Sequence, residues 1–119
     1  MSTLLPVLDN PATDCCTPGT GGIEPARAAD VARTFKALGD STRVRLLSII
    51  AAAPDGDACV CDLTEPVGLS QPTVSHHMRL LVEAGLVTRE QRGKWAHFAV
   101  APGARDLLAA ATDAVLDRP

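Results

Sequence analysis

Tyrosine is absent from this chain, and Phe35, Trp95 and Phe98 are its whole complement of aromatic residues. A β-sandwich draws heavily on aromatic and β-branched residues. Their scarcity here, beside many Ala, Leu and Val, points to a core of packed helices. Long apolar runs are missing as well: LLSIIAAA at 46–53 falls far short of the roughly 20 residues that a membrane-spanning helix needs. The first ten residues carry no positive charge and no sustained apolar stretch. They therefore do not read as a secretory leader, and a cytoplasmic protein is expected. Neither Cys-x-x-Cys nor a phosphate-binding glycine loop occurs, and no nucleophile–base pattern marks an enzyme.

What is present is 119 residues with 46% hydrophobic content, enough for one compact domain with a small core and too little for two. The formal net charge of −3 argues mildly against nucleic acid, but the charges are unevenly placed. Between Ser70 and Phe98, Arg79, Arg89, Arg92 and Lys94 outnumber Glu83 and Glu90, giving +2, and all three histidines lie there. A basic face on an acidic chain is compatible with DNA binding.

Residues 1–23, rich in Pro and Gly and without helical or strand period, read as a mobile arm. Residues 24–119 read as the folded domain. Pro25 opens a first helix with a stripe of Ala28, Val31, Ala32, Phe35 and Leu38, ended by Gly39. Asp40 or Ser41 caps a second, whose Val44, Leu47 and Ile50 or Ala51 repeat at helical spacing until Pro54. After a loop, CVCDLTEPVGLS predicts a short third helix closed by Gly68. Ser70 then caps QPTVSHHMRLLVEAG, in which Val74, Met78, Leu81 and Val82 form the apolar stripe and Gly85 the stop. Two alternating runs, LVTREQ and KWAHFAV, separated by Arg92 and Gly93, predict a two-stranded hairpin. Leu107, Leu108, Ala111, Val115 and Leu116 line one side of a terminal helix.

A short helix, a glycine turn and a second helix with a polar outer face, followed by a hairpin, make a winged helix-turn-helix: mainly α, about five helices plus a two-stranded wing. The outer face offers Ser70, Gln71, Thr73, Ser75, His76 and Arg79. Gln bonds adenine in a bidentate way, Ser and Thr reach bases or phosphates, and wing cations reach the backbone or the minor groove. Arg92 and Lys94 are the wing cations expected to do so. His77 reads as a packing or hydrogen-bonding residue, and His97 has no assigned role.

The segments FKALGDSTRVRLLSII, CVCDL, LSQPTVSHHMRLLVEAGLV and RGKWAHFAV, in this order between Phe35 and Val100, resemble the signature segments of the ArsR/SmtB family of metalloregulatory repressors. The resemblance implies a repressor of transcription that binds double-stranded operator DNA as a homodimer joined through its first and last helices, and that leaves DNA when an inducer binds. The terminal helix carries Asp106, Asp113 and Asp117 but no histidine, so the His-and-carboxylate site that some members carry there is not matched. CVCDL resembles the ligand motif of the arsenite- and cadmium-sensing branch.

Four cysteines carry the sensing question: Cys15 and Cys16 on the arm, Cys59 and Cys61 at the start of the third helix. A reducing compartment makes structural disulfides unexpected. Within a regular helix two positions separated by one residue point about 200° apart. At a helix start, with Cys59 still extended, both sulfurs can converge, and the free N–H groups there lower a thiol pKa. The eight residues from Cys16 to Glu24 can span up to about 28 Å, enough to reach the third helix of either subunit. Thiolate-only ligation selects soft ions. Arsenite or antimonite would take three sulfurs in a pyramid, whereas cadmium, lead or zinc could use all four. Arsenite is the expected inducer, because the arm pair is vicinal and no carboxylate or histidine is seen to cluster with the thiols. Accessible low-pKa thiols would also serve a redox-switched repressor.

Overall fold

A computed structural model describes residues 21–117; residues 1–20 and 118–119, and with them Cys15, Cys16 and most of the expected arm, lie outside the described residues. The order is α1 (Pro25–Ala37), α2 (Ser41–Ala51), β1 (Asp57–Cys59), α3 (Val60–Val67), α4 (Gln71–Glu83), β2 (Val87–Arg92), β3 (Trp95–Val100) and α5 (Ala104–Leu116). The winged helix-turn-helix expected from the residues is the fold observed, with one strand more.

Local chemistry sets the helix starts. Pro25 stands in the first turn of α1, where its missing N–H costs nothing. The Asp40 carboxylate accepts from the Arg43 N–H at 3.1 Å and caps α2. Ser70 Oγ accepts from the Thr73 N–H at 3.4 Å and caps α4. At the far end of α3, Gly68 adopts φ +69°, and its N–H bonds back to the Thr64 and Glu65 carbonyls. No atom stands within 4 Å of a Cβ built there, so only backbone strain opposes a side chain. Gly68→Ala is therefore expected to cost roughly 1–2 kcal/mol in chemical denaturation, the penalty of an L-residue in the left-handed region.

The core is built from seven fully buried side chains, Leu46, Ile50, Leu63, Val74, Met78, Leu81 and Leu86, which bring α2, α3 and α4 together over the sheet. Two expected stripes are rotated. In α1 the buried positions are Val31, Thr34 and Ala37, while Phe35 is 43% exposed. In α2 they are Leu46 and Ile50, while Val44 is 48% exposed. Both helices carry more apolar residues than one face can bury, so spacing alone does not say which face turns inward.

The sheet has three antiparallel strands in the order β1-β3-β2: the expected hairpin is β2–β3, and β1 adds a third strand at its edge. β1 pairs Asp57 with Ala99, Ala58 with Phe98 and Cys59 with His97. Three residues are too few for alternation to show in a sequence, and the strand forms because β3 offers it a free edge. The hairpin turn is Gly93–Lys94, one residue later than expected, with Arg92 opposite Trp95 and Gly93 at φ +63°. α5 packs beside α1, burying Ala104 and Ala111 and leaving Val115 and Leu116 exposed.

Candidate nucleic-acid interface and thiol centre

The face of α4 opposite Val74, Met78 and Leu81 is the one expected to read DNA, and Gln71, Thr73, Ser75, His76 and Arg79 are all exposed on it. Ser70 joins them at the N-terminus, its hydroxyl donating to Thr73 Oγ1 at 3.0 Å. Arg79 Nη2 lies 3.0 Å from His76 Nδ1. A guanidinium only donates, so this His76 nitrogen accepts and its Nε2 carries the outward N–H. His77 points the other way: its Nδ1 meets Arg43 Nη1 at 3.1 Å. Arg43 in turn donates to the Ala37 and Lys36 carbonyls at 2.7 and 3.3 Å, tying the end of α1 to α2 and α4.

On the wing the structure separates residues that the sequence grouped. Alternation along β2 puts Arg89 opposite Phe98 and Gln91 opposite Ala96, on the face toward α4. Glu90, opposite His97, and Arg92 lie on the reverse face. There Arg92 donates to Glu90 Oε1 at 2.6 Å and to Asp57 Oδ2 at 2.7 Å. These hydrogen bonds, Glu90 first, hold its pKa above the ordinary arginine value. Arg92, expected at the DNA backbone, is thus bound to two carboxylates and braces β1 to β2. Lys94 is exposed in the turn. Arg89 was not singled out as a contact, and the signal available for it was its odd-numbered register with Val87, which is buried.

The thiol centre forms where β1 becomes α3. Cys59 is the N-cap of α3 with extended backbone, φ −73° and ψ 144°, and its sulfur accepts from the Cys61 N–H at 3.3 Å. That conformation turns Cys59 back over the first turn, so the two sulfurs converge as the helix-start geometry requires. The structure brings the two sulfurs within bonding reach of each other, with Cα atoms 5.2 Å apart. Cys59 is buried and Cys61 exposed. Asp62 offers a carboxylate oxygen in the same group of ligand atoms, all within 4.8 Å of one another. A carboxylate does cluster with the thiols, contrary to expectation, because α3 carries Asp62 round beside the N-cap. His97, opposite Cys59, has its Nδ1 3.8 Å from Asp57 Oδ1.

A polar helix face standing free of the core, set behind a glycine-closed helix and flanked by a wing, is the arrangement of a DNA-binding regulator of transcription. The model of bacterial regulatory proteins of the arsR family matches residues 40–89. The chain is 41% identical over 87 residues to a Halobacterium salinarum protein provisionally named an arsenical resistance operon repressor, covering 73% of this chain and 72% of that one. It is 40% identical to the arsenical resistance operon repressor of Escherichia coli over 57% of this chain, and it spans just over half, 56%, of that relative's length. Among solved structures, the AntR antimony-specific transcriptional repressor superposes with a TM-score of 0.60 at 26% identity, over 82% of this chain and 85% of that one. The homodimeric winged helix-turn-helix domain of a possible ArsR-family regulator from Mycobacterium bovis does so at 0.59 and 25%, over 78% and 84%. This chain belongs to the ArsR family of transcriptional regulators.

Proposed function

We propose that this regulator is a metalloid-responsive repressor: a homodimer that holds operator DNA through Ser70, Gln71, Thr73, Ser75, His76, Arg79 and Lys94, and releases it when arsenite or antimonite binds cysteine thiolates. The observation that carries the reading is the convergence of Cys59 and Cys61 at one helix start, where a reduced pair presents two soft donors to one ion. Cys15 and Cys16 supply the remaining sulfur. Relatives named for arsenical resistance and a structural neighbour named as antimony-specific support the choice of ion. The exposed Val115 and Leu116 on α5 support the dimer, as does the homodimeric domain from Mycobacterium bovis. No helix among the described residues is long and apolar enough to cross a membrane, and we assign the protein to the cytoplasm, where its DNA would be.

The close approach of the Cys59 and Cys61 sulfurs favours one second reading, in which oxidation of that pair is itself the signal. Both readings are tested by titrating the reduced protein on labelled operator DNA with arsenite, cadmium and peroxide in parallel. Arsenite is expected to release DNA at the lowest concentration, with three sulfurs on arsenic by X-ray absorption. Release by peroxide alone would replace the metalloid reading with the redox one. Release by cadmium alone would move the site to a divalent ion, for which Asp62 supplies an oxygen ligand.

A further inference from the structure

We propose that the cleft between α4 and the wing seats a phosphodiester of the DNA backbone, with Arg89 as its principal cation and Gln91 as the residue that positions Arg89. The cleft measures about 510 Å³, and Ser75, His76, Arg79, Arg89 and Phe98 are among its lining residues. It is open to solvent along the same α4 face that carries the base-reading side chains, so a strand lying across that face passes over it.

The partners of each cation decide which one is available. Arg92 is taken by Glu90 and Asp57 on the far side of the sheet. Arg79 has Glu83 at 3.9 Å, so part of its field is cancelled at the rim. Among the described residues, no carboxylate comes within ion-pair distance of Arg89. Its Nη2 donates to Gln91 Oε1 at 2.6 Å, and Gln91 Nε2 donates to the Gly93 carbonyl at 3.1 Å. A neutral amide therefore holds the guanidinium in place without neutralising it. The remaining N–H groups of the fork match two oxygens of a phosphate, a geometry lysine does not offer. Phe98 and Val82, which form the apolar side of the cleft, shield the pair from part of the solvent that would weaken it.

The proposal rests on the protein's binding to DNA, and the test separates the two. Affinity for a duplex of random sequence is measured by fluorescence anisotropy across a salt series, with circular dichroism confirming the fold of each variant. Arg89→Ala is expected to reduce the slope of log K against log salt by about 0.9 per bound subunit, the loss of one phosphate contact. Arg89→Lys should keep the slope, because the charge remains, while binding more weakly because the fork is lost. Arg92→Ala should leave the slope at the wild-type value. A wild-type slope in Arg89→Ala, or an equal loss in Arg92→Ala, would overturn the phosphate seat alone. Failure of the wild-type protein to bind any duplex would instead overturn the DNA-binding reading beneath it.

Discussion

Cys59→Ser and Cys61→Ser proteins are expected to bind operator DNA like the wild type and to ignore arsenite. The effect should be large because linkage between inducer and DNA sites is typically worth about 1–3 kcal/mol, or roughly 5- to 150-fold in affinity, and removing a ligand removes all of it. Folding should survive both changes. Cys59 serves as the N-cap of α3, and serine is a stronger cap than a thiol at that position. Cys61 is exposed in the first turn, away from the seven core side chains. Neither residue lies on the α4 face assigned to DNA. Operator binding with and without arsenite, by anisotropy, reads the outcome directly. Loss of DNA binding without inducer in either variant would mean that the thiols maintain the fold rather than sense an ion. The arm extends the test. If arsenic takes three sulfurs, Cys15→Ser and Cys16→Ser should differ, one severe and one mild. A double variant that still released DNA at the wild-type arsenite concentration would leave Cys59, Cys61 and Asp62 as the whole site.

Met78→Ala is expected to be strongly destabilising although it lies in the helix proposed to read DNA. Met78 is fully buried on the inner side of α4, in one core with Leu46, Leu63 and Leu86. Truncation removes the transfer energy of the side chain and leaves a cavity that rigid neighbours cannot close, at a cost of about 2–5 kcal/mol. Small domains have about 5–15 kcal/mol in all, so a midpoint fall of roughly 10 °C or more is expected at fixed protein concentration. Gln71→Ala, exposed on the same helix, should stay within about 0.5 kcal/mol of wild type. Urea unfolding of the two variants side by side measures the contrast. A loss under about 1 kcal/mol for Met78→Ala would show that the core collapses around the gap.

Helix boundaries were legible from the chain because they depend on neighbours in sequence. Pro25, Asp40, Gly68, Ser70 and Gly85 act within one turn of where they stand, and the helices begin or end beside them. The inward face of α4 was legible for a related reason: Val74, Met78 and Leu81 form a single stripe against a polar remainder, so only one rotation buries them. The same stripe left Gln71, Thr73, Ser75, His76 and Arg79 outside. The motif CVCDL was legible as a thiol pair at a helix start, because Cys59 lies before the first turn and Cys61 within it.

Three features depended on contacts distant in sequence. β1 exists because residues 57–59 find the free edge of β3, whose paired residues come 38 to 42 positions later; three residues carry no period of their own. That pairing sets Asp57 beside Arg92, 35 positions away, and gives a charge that looked ready for DNA a carboxylate partner within the protein. On the opposite face of β2, the register with β3 turns Arg89 toward the recognition helix. A strand's alternation says that Arg89 and Arg92 point to different faces, but only packing against α4 says which of them faces the recognition helix. The sequence by itself determined the caps, the reading helix and the paired thiols, whose causes lie within a helical turn. Tertiary structure alone decided the partners of each charge, because an ion pair forms wherever the fold brings opposite charges together, irrespective of their separation along the chain.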